Sequence, residues 1–138
     1  MFEQYLLSIW GLLLMVFTML LQTLIATGAH RKQAQYVPGV VSETLGHDSF
    51  VFRSHRTFQS SLENTPMMFA TAVVAILSGL GPVALAATVW IFTIARILHM
   101  VLYYGIATEK NPSPRSFFYA IAMLTNLVLV GMIAVHLI

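Results

Sequence analysis

Three groups of polar residues interrupt an apolar chain, and each has the spacing of a single helix face. Arg56, Ser60 and Glu63 stand at i, i+4 and i+7, with Gln59 beside them, and Arg96, His99 and Tyr103 stand at i, i+3 and i+7. Arg115 and Ser116 form the third group, with Tyr119 one turn further on the side of Arg115. The planar guanidinium fork binds a carboxylate through two hydrogen bonds and stays charged at physiological pH. One glutamate cannot neutralise Arg56, Arg96 and Arg115 together, so the surplus positive charge fits an anionic ligand. A thiolate would suit as well: lowering a thiol by two units from about 8.5 takes about 2.7 kcal/mol of preference for the anion. Arg115, the Ser116 hydroxyl and the positive end of a helix are together of that size. The chain has no cysteine, so any thiol must arrive with a ligand. Along a helix, Arg56 to Glu63 rises about 10 Å, close to the length of an extended tripeptide at about 3.5 Å per residue.

Each of these residues also has a structural reading. A guanidinium at membrane depth costs roughly 2.5 to 3.5 kcal/mol and calls for a partner, and an ion pair between Arg96 and Glu63 is the simplest way to meet that cost. His99 reads more readily as a hydrogen-bonding core residue than as a catalyst. No second His or Cys stands at ligand spacing, so no metal is expected. Tyr103 and Tyr119 serve equally as interfacial anchors or as ligand hydroxyl donors, and Trp10, Trp90 and His136 as packing or lipid contacts.

The elements that carry these groups are membrane spans. Of 138 residues, 58% are hydrophobic and 9% charged, with mean hydropathy +0.81, against roughly 25% charged in soluble domains. Spans of about 20 apolar residues fall near 5–29, 53–80, 83–106 and 115–138, giving an all-α bundle of four transmembrane helices in a single domain, 1–138. The apolar run from Pro66 to Leu80 is short for a span. Its helix must therefore reach back through Arg53, Arg56, Gln59, Ser60 and Glu63, and Pro66 is placed to bend it. Ser113 is placed to cap the fourth helix, with Pro114 as its first residue. All seven Lys and Arg residues lie in two stretches, Arg31 to Arg56 and Arg96 to Arg115. The positive-inside tendency then puts both basic loops in the cytoplasm and both termini on the other side. The first apolar run follows an acidic start and is too long for a cleaved signal, so it reads as a retained span. The net charge of +2 reflects topology and does not point to nucleic acid. Compact loops and the lack of a retention tail favour a bacterial inner membrane.

The motifs RSHRTFQSSLENTP, SGLGP, ARILHMVLYYG and PRSFFYA resemble those of the MAPEG family, membrane-associated proteins in eicosanoid and glutathione metabolism, over nearly the whole chain. The family's second-helix Arg and Glu match Arg56 and Glu63. Its third-helix Arg, His and Tyr match Arg96, His99 and Tyr103, and its fourth-helix Arg-Ser and following Tyr match Arg115, Ser116 and Tyr119. The resemblance implies a homotrimer that holds glutathione, as co-substrate, between neighbouring subunits near the cytoplasmic face. Arg56, Gln59, Ser60, Glu63, Arg96, His99, Tyr103 and Tyr119 would bind it, and Arg115 and Ser116 would stabilise its thiolate. The implied activity is glutathione transfer to lipophilic electrophiles entering from the membrane lipid, with glutathione-dependent reduction of lipid hydroperoxides as a second capacity. One position departs from the family: Ser60 stands where an asparagine is usual, with Gln59 a candidate substitute. A non-catalytic lipid-binding scaffold, also found in the family, is the alternative. A small multidrug-type transporter shares the four short spans, but Arg56 and Arg96 beside Glu63 would repel its cations.

Overall fold

The computed structural model describes residues 2–138, and its regular elements are all helical. After a 3-10 turn at Glu3–Tyr5 come α1 (Leu6–Arg31), α2 (Phe50–Ser78), α3 (Pro82–Gly105) and α4 (Pro114–Leu137). Three helices, α1 extended by its preceding turn, α3 and α4, are long and apolar enough to cross a membrane. With 29 residues, α2 is about 43 Å long at 1.5 Å per residue. Arg53, Arg56 and Glu63 keep its hydropathy below that of the other three. The helix runs unbroken through Pro66 and begins at Phe50, further back than the expected 53.

Local chemistry sets the ends. Ser49 caps α2, its hydroxyl accepting from the Phe52 N–H at 3.5 Å. The other end closes at Gly79, whose φ of 74° is left-handed. There the Leu80 N–H donates to the Ala75 carbonyl at 3.0 Å and the Gly79 N–H to Ile76 at 3.1 Å, the paired bonds of a Schellman stop. Pro82 and Pro114 occupy first-turn positions of α3 and α4, where the missing N–H costs nothing.

The α2–α3 pair forms the middle of the bundle, and α1 and α4 each pack against both. Met68, Leu85, Val89, Phe92 and Leu129 are among the buried core residues. The inward face of α2 is nonetheless small and polar: Ser54, Thr57, Ser61 and Thr65 are buried. Small side chains let neighbouring helices approach closely in lipid, and their hydroxyls can be satisfied within the helix. Thr57 does so, donating to the Arg53 carbonyl at 2.7 Å. At Gly11 α1 lies tight against α3: a Cβ there would lie 2.7 Å from the Val89 Cγ1.

Cross-links distinguish the two ends of the bundle. At one, the Tyr5 hydroxyl donates to the Leu80 carbonyl at 2.8 Å, and His136 Nε2 lies 2.9 Å from the Ser78 carbonyl. At the other, the loop between α1 and α2 meets the loop between α3 and α4. The basic residues of both stretches outside the helices therefore gather at one end.

Candidate anion site at the loop end of the bundle

Arg96 lies on the inward face of α3 and is only 4% exposed. Its Nη2 donates to the Ser60 hydroxyl at 3.0 Å and to the Ser61 hydroxyl at 3.3 Å. Its Nε and Nη1 have no partner. The expected ion pair with Glu63 is not formed: Glu63 is exposed on the outer face of α2, and the sole carboxylate within 4.0 Å of a basic side chain among the described residues is Glu109, against His47. The helical pitch explains the difference. Ser60 and Ser61 face α3, whereas Glu63 is turned away with Arg56, which is also exposed. Arg96 is thus a buried cation whose neighbours are neutral hydroxyls, an arrangement that costs free energy unless an anion completes it.

One turn or more toward the loops, α3 and α4 bring several aromatic and basic groups together. His99 and Tyr103 are buried, with ring centroids 5.6 Å apart. The Tyr119 ring lies 6.4 Å from His99 and is 39% exposed on the α4 surface. The Arg115 guanidinium sits over the Tyr103 ring, 4.2 Å from its centroid, within the range of a cation–π contact. Arg115 also donates to the Thr108 carbonyl at 3.2 Å, which ties it to the loop before α4.

Ser113 and Ser116 form the start of α4. The Ser113 backbone N–H donates to the Ser116 hydroxyl at 3.2 Å, and the two hydroxyls are 3.2 Å apart. A hydroxyl has one proton and two lone pairs. Accepting from the backbone orients the Ser116 hydroxyl, and its proton can serve either the Ser113 hydroxyl or an anion at the helix start.

Within one chain the residues singled out from the sequence fall into separate places. Ser60 and Arg96 meet directly, His99 and Tyr103 of α3 cluster with Tyr119 and Arg115 of α4, and Ser116 follows Arg115 at the start of α4. Arg56 and Glu63 face outward, so the three arginines do not converge on one cleft of a single chain. Gln59 does not stand in for Ser60. It lines a different cavity of about 470 Å³ on the α1 side of α2, with His30, Arg31, Tyr36 and His55, because neighbouring residues on a helix point about 100° apart.

Sequence reasoning passed over the groups that hold this end together. His47, in the loop after α1, is bound on both sides of its ring. Its Nδ1 lies 2.7 Å from Glu109 Oε2, and its Nε2 lies 2.8 Å from the Tyr103 hydroxyl. The His47 backbone N–H adds a bond to Glu109 Oε1 at 3.0 Å. These backbone and ring hydrogen bonds hold the Glu109 carboxyl below the usual carboxylate range. Arg53 donates to the carbonyls of His47 at 2.8 Å and Asp48 at 3.1 Å, and it reaches the Tyr104 carbonyl at 3.4 Å. Opposite charges in the two loops were the one available signal, and spacing could not pair residues 62 positions apart. Among the described residues, no three His, Asp or Glu side chains gather as a metal site would require.

No curated protein and no solved structure matches the chain. A family model, that of the MAPEG family, matches residues 7–135 of this four-helix chain, and the chain belongs to the MAPEG family.

Proposed function

We propose that this membrane protein is a glutathione transferase acting on lipophilic electrophiles, with glutathione-dependent reduction of lipid hydroperoxides as a second capacity. The observation that carries this reading is Arg96: a buried guanidinium with two unpartnered edges and no carboxylate near enough to pair. Glutathione has two carboxylates to offer such donors. Its thiol, placed at the start of α4, would meet the Arg115 guanidinium, the Ser116 proton and the helix dipole, all of which favour thiolate over thiol. The thiolate then attacks the electrophilic carbon of the second substrate, forming the C–S bond as the leaving group departs with its electron pair. Reduction of a lipid hydroperoxide follows the same start. Sulfur attacks the terminal peroxide oxygen, the lipid alcohol leaves with a proton, and a second glutathione releases the disulfide with water.

The working unit in this proposal is a homotrimer with sites between copies. Arg56 and Glu63 on the outer face of α2, the exposed edge of Tyr119 and the separate cavity containing Gln59 and Arg31 all lack a counterpart in one chain. A neighbouring copy would supply it. The meeting of the two basic loops at one end supports placing that end in the cytoplasm, in a bacterial inner membrane. A non-catalytic lipid-binding scaffold has one observation in its favour, the hydroxyl of Ser60 where an amide would reach further toward a ligand.

The test is the ultraviolet difference spectrum of glutathione added to detergent-purified protein, with mass measurement of the protein–detergent complex. A thiolate band saturating at millimolar glutathione or below, on a three-copy particle, is expected. Absence of the band, with lipid binding intact, would leave the scaffold standing and remove the transferase.

A further inference from the structure

The Glu109–His47–Tyr103 chain reaches from an exposed loop to a buried hydroxyl inside the cluster. A carboxylate only accepts hydrogen bonds, so the Nδ1 of His47, 2.7 Å from Glu109 Oε2, carries the ring proton. In the neutral form of the ring Nε2 is then a lone pair, and the Tyr103 hydroxyl 2.8 Å away donates to it. The phenol proton is thereby committed to His47, and the free lone pairs of its oxygen turn away from the loop. Nothing else in the surroundings competes for this role. Arg53 from α2 binds the His47 carbonyl and not its ring, Arg115 from α4 lies over the face of Tyr103, and Phe52 packs edge-on against His47. His47 is also stacked on Tyr103, with 25° between the ring planes, so both the angle and the distance are held.

We propose that His47, oriented by Glu109, is a positioning residue that presents the Tyr103 oxygen as a hydrogen-bond acceptor to an N–H group of the bound tripeptide. The assignment rests on the glutathione reading above, since it takes its ligand from there. Without His47 the phenol proton rotates freely, and the oxygen loses its enforced preference for accepting. The ligand N–H then pays for realignment, and affinity falls while the chemistry at sulfur, which is set by Arg115 and Ser116, is left alone.

Three variants separate this role from a structural one. Asparagine at position 47 places an amide N–H near the Nδ1 position, where it can keep the Glu109 bond that docks the loop, but it leaves Tyr103 without its acceptor. Glutamine reaches the Nε2 position and can accept from Tyr103. His47→Asn is expected to raise the KM for glutathione about tenfold with kcat nearly unchanged, His47→Gln to recover most of that loss, and His47→Asn to add nothing in a Tyr103→Phe background. Equal KM in His47→Asn and wild type would overturn the assignment, as would an undiminished effect in the Tyr103→Phe background. Should the asparagine variant fail to give a folded bundle by circular dichroism, the comparison of Glu109→Gln with Glu109→Ala decides: the amide oxygen of glutamine can still accept from Nδ1 and alanine cannot, so only alanine should raise KM. Wild-type protein that forms no glutathione thiolate band defeats the transferase reading and this assignment together. A normal wild-type band with KM unmoved in all the variants defeats the assignment alone.

Discussion

Replacing Arg96 by methionine should leave the bundle about as stable as before and remove most of its affinity for glutathione. The stability side follows from opposing terms at one site. Arg96 gives two hydrogen bonds to the Ser60 and Ser61 hydroxyls, and hydrogen bonds from a charged donor contribute about 1.5 kcal/mol each at the lower end of their range. Against that total of about 3 kcal/mol stands the cost of a guanidinium at membrane depth, roughly 2.5 to 3.5 kcal/mol, with no carboxylate among the described residues within ion-pair distance of it. Methionine fills similar length with apolar atoms, and the freed serine hydroxyls can turn back to carbonyls of their own helix. The net change is within about 1 kcal/mol. The binding side has no such compensation. The unpartnered Nε and Nη1 of Arg96 are the donors a ligand carboxylate would take. Losing two charge-assisted bonds of about 1.5 kcal/mol each weakens Kd roughly a hundredfold at 1.4 kcal/mol per decade. Equilibrium unfolding in mixed micelles measures the first quantity and calorimetric titration with glutathione the second. A variant destabilised by more than about 3 kcal/mol would make Arg96 a structural residue, and one that binds glutathione at wild-type strength would remove it from the site.

Arg115→Ala should lower kcat for conjugation of a chlorodinitrobenzene-type substrate at least about tenfold while moving the KM for glutathione less than about threefold, because this guanidinium stands at the helix start, where the proposed mechanism places the thiolate; steady-state kinetics decides, and unchanged kcat would remove it from the mechanism. Gly11→Ala should destabilise the bundle by about 1 to 3 kcal/mol, since its Cβ would sit 2.7 Å from Val89; an unchanged unfolding midpoint would show that α1 and α3 can separate freely there. The loop latch at Glu109 should open in acid. Because hydrogen bonds depress the Glu109 carboxyl in the folded state, its contribution is complete above the ordinary carboxylate range and is lost as pH falls through the lower, folded value. Protection of the His47 amide, bonded to Glu109, should therefore fall across that window as pH drops and stay constant above it.

The sequence made the spans legible because apolar runs report lipid contact directly. It made the inward face of α3 legible because Arg96, His99 and Tyr103 repeat at helical spacing within hydrophobic surroundings. Glu63 was misread for a reason of the same kind. Spacing of i, i+4 and i+7 gathers residues onto a broad face, but it cannot say which edge of that face points inward. Ser60 and Ser61 took the inward edge, and their hydroxyls meet Arg96 where the carboxylate was expected, without neutralising it. Gln59 illustrates the same limit, one residue from Ser60 and in a different cavity. The latch of His47, Arg53 and Glu109 left no periodic trace at all, because it joins two irregular loops through contacts that only the docked helices bring into range.

The outward position of Glu63 has a consequence for assembly. It lies thirteen residues into α2, about 20 Å from the helix start at 1.5 Å per residue, and is exposed. A carboxylate facing lipid at that depth costs about 3 kcal/mol on insertion scales, and no basic side chain of the same chain pairs with it. The face that carries it, continuing through Met67 and Val74, which are 53% and 47% exposed, must therefore be covered by protein or by water. The outer face of α4 carries no charge beyond its first turn and can rest in lipid unaided. The absence of cysteine makes the distinction simple to measure. A single cysteine introduced by Met67→Cys should give disulfide-linked pairs of chains on mild oxidation in membranes, whereas Leu127→Cys on the exposed side of α4 should give few. Efficient linkage through Leu127→Cys and none through Met67→Cys would place the contact between copies on the wrong side of the bundle for α2 to complete a shared site.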